Sequence, residues 1–424
     1  MASVAVEPLA DPPDVAVSVP GSKSLTNRSL VVAALAFGTS RIQGALFADD
    51  TEAMLDCLAR LRVQVVADPG AATIEVVGRD GAVPDGSYEL DARLSGTTSR
   101  FLLPVLALGP GRYRLDGAEP LRGRPMADAL GALGALGATV EHHGSPGHLP
   151  VTISGGPVRG AEVAVPGNAS SQFLSGLLLA APAMGRGLRV DLTTELVSRP
   201  YVDMTLATMV AFGVDVERPD DATFVVRPGR YRGGTVAIEP DASSASYFFA
   251  AAAMCGGRVR VNGLGSDSVQ GDLAFLEVLE RMGARVERGA ESVTVTGHGR
   301  LVGGEFDLSA ISDTAQTLAV VAVFASGPTR VTGIGFIRRK ETDRLAAVVT
   351  ELRRCGIAAE EELDGFVIHP GTPRPTEVQT YHDHRMAMSF ALLGLRVPGI
   401  VITDAGCVAK TFPDFFSTLD QLRL

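Results

Sequence analysis

GSKSLTNRSLVVAALAF, Gly21 to Phe37, is a polar, cationic cluster that runs straight into an apolar stretch of helical length. The arrangement returns five times, as SGTTSRFLLPVLAL from Ser95, NASSQFLSGLLLAAPAM from Asn168, DASSASYFFAAAAM from Asp241, SDTAQTLAVVAVFA from Ser312 and YHDHRMAMSFALLGL from Tyr381. The starts are 74, 73, 73, 71 and 69 residues apart. A period so long and so regular means one supersecondary unit used six times. Helices apolar nearly all round are buried inside a domain.

A second kind of segment alternates with the first. ALGATVE (Ala135 to Glu141), AFGVDVE (Ala211 to Glu217), RMGARVE (Arg281 to Glu287) and the looser RCGIAAE (Arg354 to Glu360) each read as the end of an amphipathic helix, a glycine stop and a strand. LARLRVQVV (Leu58 to Val66) repeats the pattern with Arg62 in the glycine place, and KTFPDFFSTLDQLRL at the C-terminus is the last copy. Three units per domain predict two similar α/β domains. The chain starts in mid-unit, so its first strand should complete the last unit. The expected boundaries lie near Pro20-Gly21 and Glu239-Pro240, giving residues 1–20 plus 240–424 as one domain and 21–239 as the other.

With 424 residues and 46% hydrophobic content, two substantial cores are expected. The net charge of −10 argues against general binding to nucleic acid or anionic membrane, so an anionic ligand needs a local cluster of cations. Cys57, Cys255, Cys355 and Cys407 are too far apart for a zinc or redox motif. The N-terminus lacks a secretory pattern and no apolar run reaches membrane-spanning length, so a soluble cytoplasmic protein is expected. No GxGxxG follows a strand and no GxxxxGK[ST] is present.

All six buried helices open on polar, charged or small residues, and a helix N-terminus is a ready anion site. Six such ends facing one interdomain cleft would make an anion trap. Lys23, Ser24 and Arg28 stand at the first mouth; they suit phosphate or carboxylate, although a capped helix with a snorkelling lysine would look the same. Gly96, Thr97 and Arg100 follow one unit later, the glycine allowing close approach to the backbone. Arg122 and Arg124 precede Pro125, either as ligand-binding cations or as a solvated turn. Ser170, Ser171 and Gln172 are uncharged donors or an ordinary cap, and Ser198 and Tyr201 open a further helix.

Asp313 begins a buried helix with no cation nearby in its own stretch, and reads as an N-cap or as a base with a tuned pKa. In RRKETDRL, Lys340 and Arg344 are four apart, which predicts one helix face with Glu341 beside them. His382, Asp383, His384 and Arg385 follow; His-x-His alone lacks a third metal ligand at a suitable spacing. Lys410 closes the set.

Taken in order, PGSKSLTNR, SGTTSR, RGRPM, NASSQF, SDTAQTLA, KETDRLAA, DHRMAM and AKTFPDF resemble the 3-phosphoshikimate 1-carboxyvinyltransferase (EPSP synthase) family, from about Val17 to Leu419. The resemblance implies the enolpyruvyl transferase fold, two inside-out α/β barrels of three βαβαββ-type units each. It implies transfer of the enolpyruvyl group of phosphoenolpyruvate to the 5-hydroxyl of shikimate 3-phosphate, through a tetrahedral intermediate, in the shikimate pathway. By the resemblance Lys23, Ser24, Arg28, Ser170, Ser171, Gln172, Ser198, Tyr201, Asp313 and Lys340 hold shikimate 3-phosphate. Lys23, Gly96, Arg124, Gln172, Arg344, Arg385 and Lys410 surround phosphoenolpyruvate. Asp313, Glu341, Lys23 and His384 are the implied catalytic groups, Asp313 taking the proton of the attacking hydroxyl and Glu341, with Lys23, moving the proton on the methylene carbon. The family uses no metal or other cofactor, and a monomer is expected. Its inhibitor glyphosate occupies the phosphoenolpyruvate site.

Some positions depart from the family. Its Asn-Ala-Gly-Thr is Leu94 to Thr97 here, its frequent proline is Phe101, and a frequent asparagine is Phe336. These leave open a shikimate-like acceptor of a specialised pathway. A UDP-sugar acceptor and a non-catalytic anion-binding homologue are the other readings. Against the former stands Arg124, where the sister family has a cysteine; against the latter stand Asp313, Glu341 and His384 together.

Overall fold

The structure is a computed structural model and describes residues 3–168 and 170–424; Ala169, within the NASSQF motif, lies outside the described residues. The chain forms two compact units, Met1–Pro20 with Glu239–Leu424, and Gly21–Ile238. Glu239 falls in the first of these.

In the Gly21–Ile238 unit the helices Lys23–Leu35, Gly96–Leu106 and Ser171–Ala180 are buried along almost their whole length. Their sequences have no polar face to give to water, so they form the centre. Sheets clothe them, and each contains a parallel pair extended by antiparallel strands. Thr235–Ala237 runs parallel to Thr39–Gln43, which continues antiparallel to Thr73–Val77 and then Gln64–Asp68. Ser87–Asp91 and Arg112–Asp116 form the second parallel pair, and Ala161–Val165 and Leu188–Leu192 the third. Strands such as Thr39–Gln43 alternate exposed and buried residues, as one-sided sheets require.

The other unit repeats the plan around Ala242–Cys255, Ala315–Ala322 and His384–Gly394. Here the N-terminal segment closes the architecture. Val4–Val6 pairs antiparallel with Ile400–Ile402 in the last sheet, and Asp14–Val17 runs parallel to Arg258–Asn262. The first strand of the chain therefore completes the last unit. No helix among the described residues is long and apolar enough to cross a membrane.

Amphipathic helices cover the outside. Asp49–Arg60 buries Ala53, Met54, Cys57 and Leu58 on one side, and Arg344–Arg354 buries Leu345, Val348, Val349 and Leu352. The stops behave as their spacing predicts: Gly137, Gly213, Gly283 and Gly356 take positive φ, and Arg62 adopts the same left-handed conformation at φ 59° despite its side chain.

The repeat extends to a packing detail. Gly78 follows the strand Thr73–Val77 and Gly297 follows Ser292–Thr296, the equivalent strand of the other unit. A Cβ on Gly78 would lie 2.1 Å from the Ala36 carbonyl oxygen, and one on Gly297 2.1 Å from that of Ala252. Both oxygens belong to the C-terminal end of a central helix, so the sheet edge touches helix backbone directly. Gly297→Ala is expected to cost about 1–3 kcal/mol, the range for overpacking a tight core. A thermal unfolding midpoint equal to that of the parent would show that this approach is not a tight constraint.

One local expectation is corrected. Lys340 and Arg344 do not share a helix face. Gly335–Arg339 is a short 3₁₀ turn, Lys340 has ψ −138°, and the helix starts only at Arg344. Asp343 is the cause: as N-cap it accepts from the Leu345 and Ala346 amides, at 3.2 and 3.1 Å, and so fixes the first turn after itself.

Candidate active site

The two units carry different kinds of helix mouth. In Gly21–Ile238 the caps are serines: Ser22 accepts from the Leu25 amide, Ser95 from Thr98 and Ser170 from Gln172. A neutral cap satisfies one amide and leaves the positive end of the dipole uncompensated. In the other unit acids stand at the mouths. Asp241 and Asp383 are N-caps, and Asp313 lies in the 3₁₀ turn Ser312–Thr314 that leads into Ala315–Ala322.

Within Gly21–Ile238, Lys23 is the first helical residue and its Nζ lies 3.1 Å from Asp50 Oδ2, both side chains largely buried. Asp50 escapes a sequence reading because an acid in the first turn of a helix is unremarkable. Arg28 is buried and turned inward. Its Nε donates to Thr205 Oγ1 at 2.8 Å, and its Nη atoms donate to the carbonyls of Ser24 at 3.0 Å and Tyr201 at 2.7 Å. All three partners are neutral oxygens, and the guanidinium also lies over the Phe101 ring at 5.1 Å. Burial pulls the Arg28 pKa down to about 10. It stays charged at neutral pH, in a place where an added anion would be welcome.

The RGR pair splits. Arg122 forks onto Asp116, at 2.8 and 2.9 Å, on the surface. Arg124 is buried, and its guanidinium lies where a side chain on residue 96 would begin: a Cβ on Gly96 would be 2.7 Å from Nη1 and 3.0 Å from Cζ. Arg100 Nη1 donates to Gln172 Oε1 at 2.7 Å, and Gln172 Nε2 donates to Thr97 Oγ1 at 3.1 Å, so two helix mouths are tied together. Ser171 and Ser198 are buried, and Ser198 takes a left-handed conformation just before the helix that carries Tyr201.

In the other unit Asp313, Glu341, Arg344 and Arg385 form one network, to which the structure adds Asp383. Arg344, 2% exposed, donates to Asp383 Oδ2 at 2.7 Å, Asp313 Oδ1 at 3.0 Å and Glu341 Oε2 at 2.8 Å. Burial alone would lower the Arg344 pKa, but Asp383, Glu341 and Asp313 outweigh it and hold it above the usual arginine value. Arg385 Nη2 donates to Asp313 Oδ2 at 2.7 Å and Nη1 to the Asp313 carbonyl at 3.2 Å. Asp313, without a cation in its own stretch of sequence, is thus gripped by two arginines from distant segments. His384 is fully buried, its Nδ1 3.5 Å from Asp383 Oδ1. Lys410 is buried at the end of the 3₁₀ turn Ala405–Lys410, and Lys340 Nζ lies 5.9 Å from the centre of the Phe336 ring.

Chemically, one unit offers neutral donors and cations, and the other offers carboxylates held by arginines. Fixed guanidinium groups suit carboxylate and phosphate, and oriented carboxylates suit proton transfer.

Residues 12–419 match the family described as EPSP synthase (3-phosphoshikimate 1-carboxyvinyltransferase). A 3-phosphoshikimate 1-carboxyvinyltransferase of Nostoc punctiforme is 47% identical over 423 residues, covering 100% of this chain and 99% of the relative. One of Laribacter hongkongensis is 44% identical over 415 residues, covering 96% of each. An EPSP synthase structure from Acinetobacter baumannii has a TM-score of 0.82 at 28% identity, covering 99% of this chain and 98% of that one. An enolpyruvyl transferase from Streptomyces tendae has a TM-score of 0.78 at 21% identity, covering 99% and 97%, and shares the fold.

Proposed function

The chain belongs to the EPSP synthase (3-phosphoshikimate 1-carboxyvinyltransferase) family, and from that premise we propose how its residues perform the family's reaction. The chain is an enzyme of aromatic amino-acid biosynthesis that transfers the enolpyruvyl group of phosphoenolpyruvate to the 5-hydroxyl of shikimate 3-phosphate and releases phosphate.

The alcohol adds to C2 of phosphoenolpyruvate while C3 gains a proton; phosphate then leaves as C3 loses one. In our assignment Asp313 takes the hydroxyl proton, and Glu341, with Lys23, delivers and removes the proton at C3. His384 supports this chemistry from beside Asp383. Arg124, Arg344, Arg385, Lys410 and Lys23, with Gln172, hold phosphoenolpyruvate at the backbone of Gly96. Ser24, Arg28, Ser170, Ser171, Ser198, Tyr201 and Lys340 hold the acceptor, with Lys23, Gln172 and Asp313 shared. Both substrates are polyanions, and charge-assisted bonds to fixed guanidinium groups offset their desolvation. The observation that carries the assignment is the Asp313 carboxylate, fixed at 3.0 and 2.7 Å by Arg344 and Arg385 with Glu341 on the same Arg344.

We take the monomer as the working enzyme. We place it in the cytoplasm, where its four free thiols would stay reduced. The test is phosphate release. It is expected only when phosphoenolpyruvate and shikimate 3-phosphate are both present. Release with a UDP-sugar or unphosphorylated shikimate in place of shikimate 3-phosphate would redirect the acceptor assignment; no release with any acceptor would leave a binding protein.

Arg28 allows a sharper check. Its three partners keep other bonds when it is removed: Thr205 Oγ1 still donates to Ser175 Oγ, and the Ser24 and Tyr201 carbonyls open helices. Arg28→Met is therefore expected to keep the thermal midpoint within a few degrees while raising KM for shikimate 3-phosphate roughly tenfold to a hundredfold, the weight of bonds to a charged group. An unchanged KM would remove Arg28 from the ligand set and leave it a pin between two helices.

A further inference from the structure

Three non-glycine residues take left-handed backbone conformations in the two segments that deliver Arg385 and Lys410: Tyr381 at φ 54°, His382 at φ 56° and Asp404 at φ 48°. Such conformations are sterically unfavourable for a residue with a side chain and persist only where the surroundings impose them. Tyr381 and His382 are consecutive and lead directly into Asp383, the N-cap of His384–Gly394. Asp404 heads the turn Ala405–Lys410, and its side chain makes no cap bond to it.

The side chains explain what imposes the strain. Asp404 turns away from its own helical turn, and its Oδ2 lies 2.6 Å from His382 Nδ1. A carboxylate can only accept, so Nδ1 carries the proton. Tyr381 OH donates to Glu351 Oε1 at 2.7 Å. Glu351 is itself buried, and it accepts from Arg354 at 3.0 and 2.9 Å and from the Gln379 amide at 2.9 Å. Glu351 stands in Arg344–Arg354, the helix that opens with Arg344. Two side-chain bonds therefore join three elements, and each of those elements carries one of the cations assigned to phosphoenolpyruvate: Arg344, Arg385 or Lys410.

We propose that His382 and Asp404 are positioning residues that latch the Arg385 turn to the Lys410 turn, with Tyr381 and Glu351 as the second pin to the Arg344 helix. The latch holds these cations in mutual register for the phosphate and carboxylate of phosphoenolpyruvate, and it rests on the assignment of the cations to that substrate made above. The His382 side chain is 69% exposed. A side-chain bond so exposed is worth little by itself. Its weight here is geometric: it makes the strained turn the stable one.

The experiment is a double-mutant cycle in the full-length enzyme, His382→Gly, Asp404→Gly and the pair together. Glycine takes the left-handed conformation at no steric cost and carries no side chain, so the backbone can keep its path while the latch is lost. Each single variant should raise KM for phosphoenolpyruvate about three- to tenfold, as coupling between residues in contact allows, and the double variant should be no worse than either. KM for shikimate 3-phosphate should change by less than about twofold, a split that a general loss of folding would not produce. Arg385→Gln and Lys410→Gln serve as references. If these raise KM for phosphoenolpyruvate while the latch variants leave it alone, or act additively, or lower only the thermal midpoint, the latch is overturned. If the references themselves leave that KM unchanged, the cation assignment fails and the latch falls with it.

Discussion

Asp313→Asn is expected to lower kcat by roughly 10²–10⁴-fold, the usual weight of a lost general base, with much smaller changes in either KM. The amide keeps the shape of the carboxylate and an oxygen for Arg344 or Arg385, but it cannot take the proton of the attacking hydroxyl. Asp313→Ala is the harsher variant. It removes the anchor of two guanidinium groups, which now meet Asp313 at 3.0 and 2.7 Å, so it should also raise KM for phosphoenolpyruvate. Comparing the two separates proton transfer from positioning. Glu341→Gln should fall in the same range for kcat, because Glu341 serves the other proton, at C3, while leaving Arg344 its bonds to Asp383 and Asp313. Steady-state kinetics with both substrates varied decides the matter: near-normal turnover of Asp313→Asn would show that another group takes the proton.

Gly96→Ala should weaken phosphoenolpyruvate and glyphosate together, and glyphosate more. The new methyl carbon would sit 2.7 Å from Arg124 Nη1 and 3.0 Å from its Cζ, so the guanidinium must swing away. Arg124 is buried and is one of the cations assigned to phosphoenolpyruvate, so its displacement is felt by the ligand. The result is a rise of roughly tenfold to a hundredfold in KM for phosphoenolpyruvate, the weight of a displaced bond to a charged group, about 1.5–3 kcal/mol. Glyphosate, a longer molecule than phosphoenolpyruvate at the same backbone position, should lose more. With the parent enzyme its inhibition should be competitive with phosphoenolpyruvate. Initial rates at several concentrations of each compound give both constants. A Gly96→Ala enzyme with the parent's KM and the parent's inhibition constant would mean that the ligand lies away from Gly96 and Arg124.

Much of the architecture is legible in the sequence. The sixfold period and the distinction between all-apolar and one-sided helices predict buried helices inside two similar domains and amphipathic ones covering a sheet, because burial of a helix is written in its own residues. The glycine stops were equally plain, and Arg62 obeys the same backbone demand at φ 59° without being glycine. So was the placing of caps, cations and hydroxyls at the helix mouths, because these residues cluster locally in the chain. The misjudged face of Lys340 and Arg344 shows the limit. Both a helix and a turn fit that charge run, and the Asp343 cap, two bonds to backbone amides, chose the turn.

The partners of the site residues were not legible. The sequence alone determined which groups stand at the helix mouths: caps and hydroxyls, with lysines, arginines and carboxylates beside them. Only the tertiary structure decided how those groups pair. Arg344 meets Asp313, 31 positions away, and Asp383, 39 positions away; Arg28 meets Thr205, 177 positions away. Arg122 and Arg124 differ by one residue between them in the chain, yet one forks onto a surface aspartate and the other lies buried against Gly96. The reason is physical. A helix or a cap is stabilised by neighbours within a turn, so its signal is local, whereas an ion pair depends on distance and burial, which exist only once remote segments have packed.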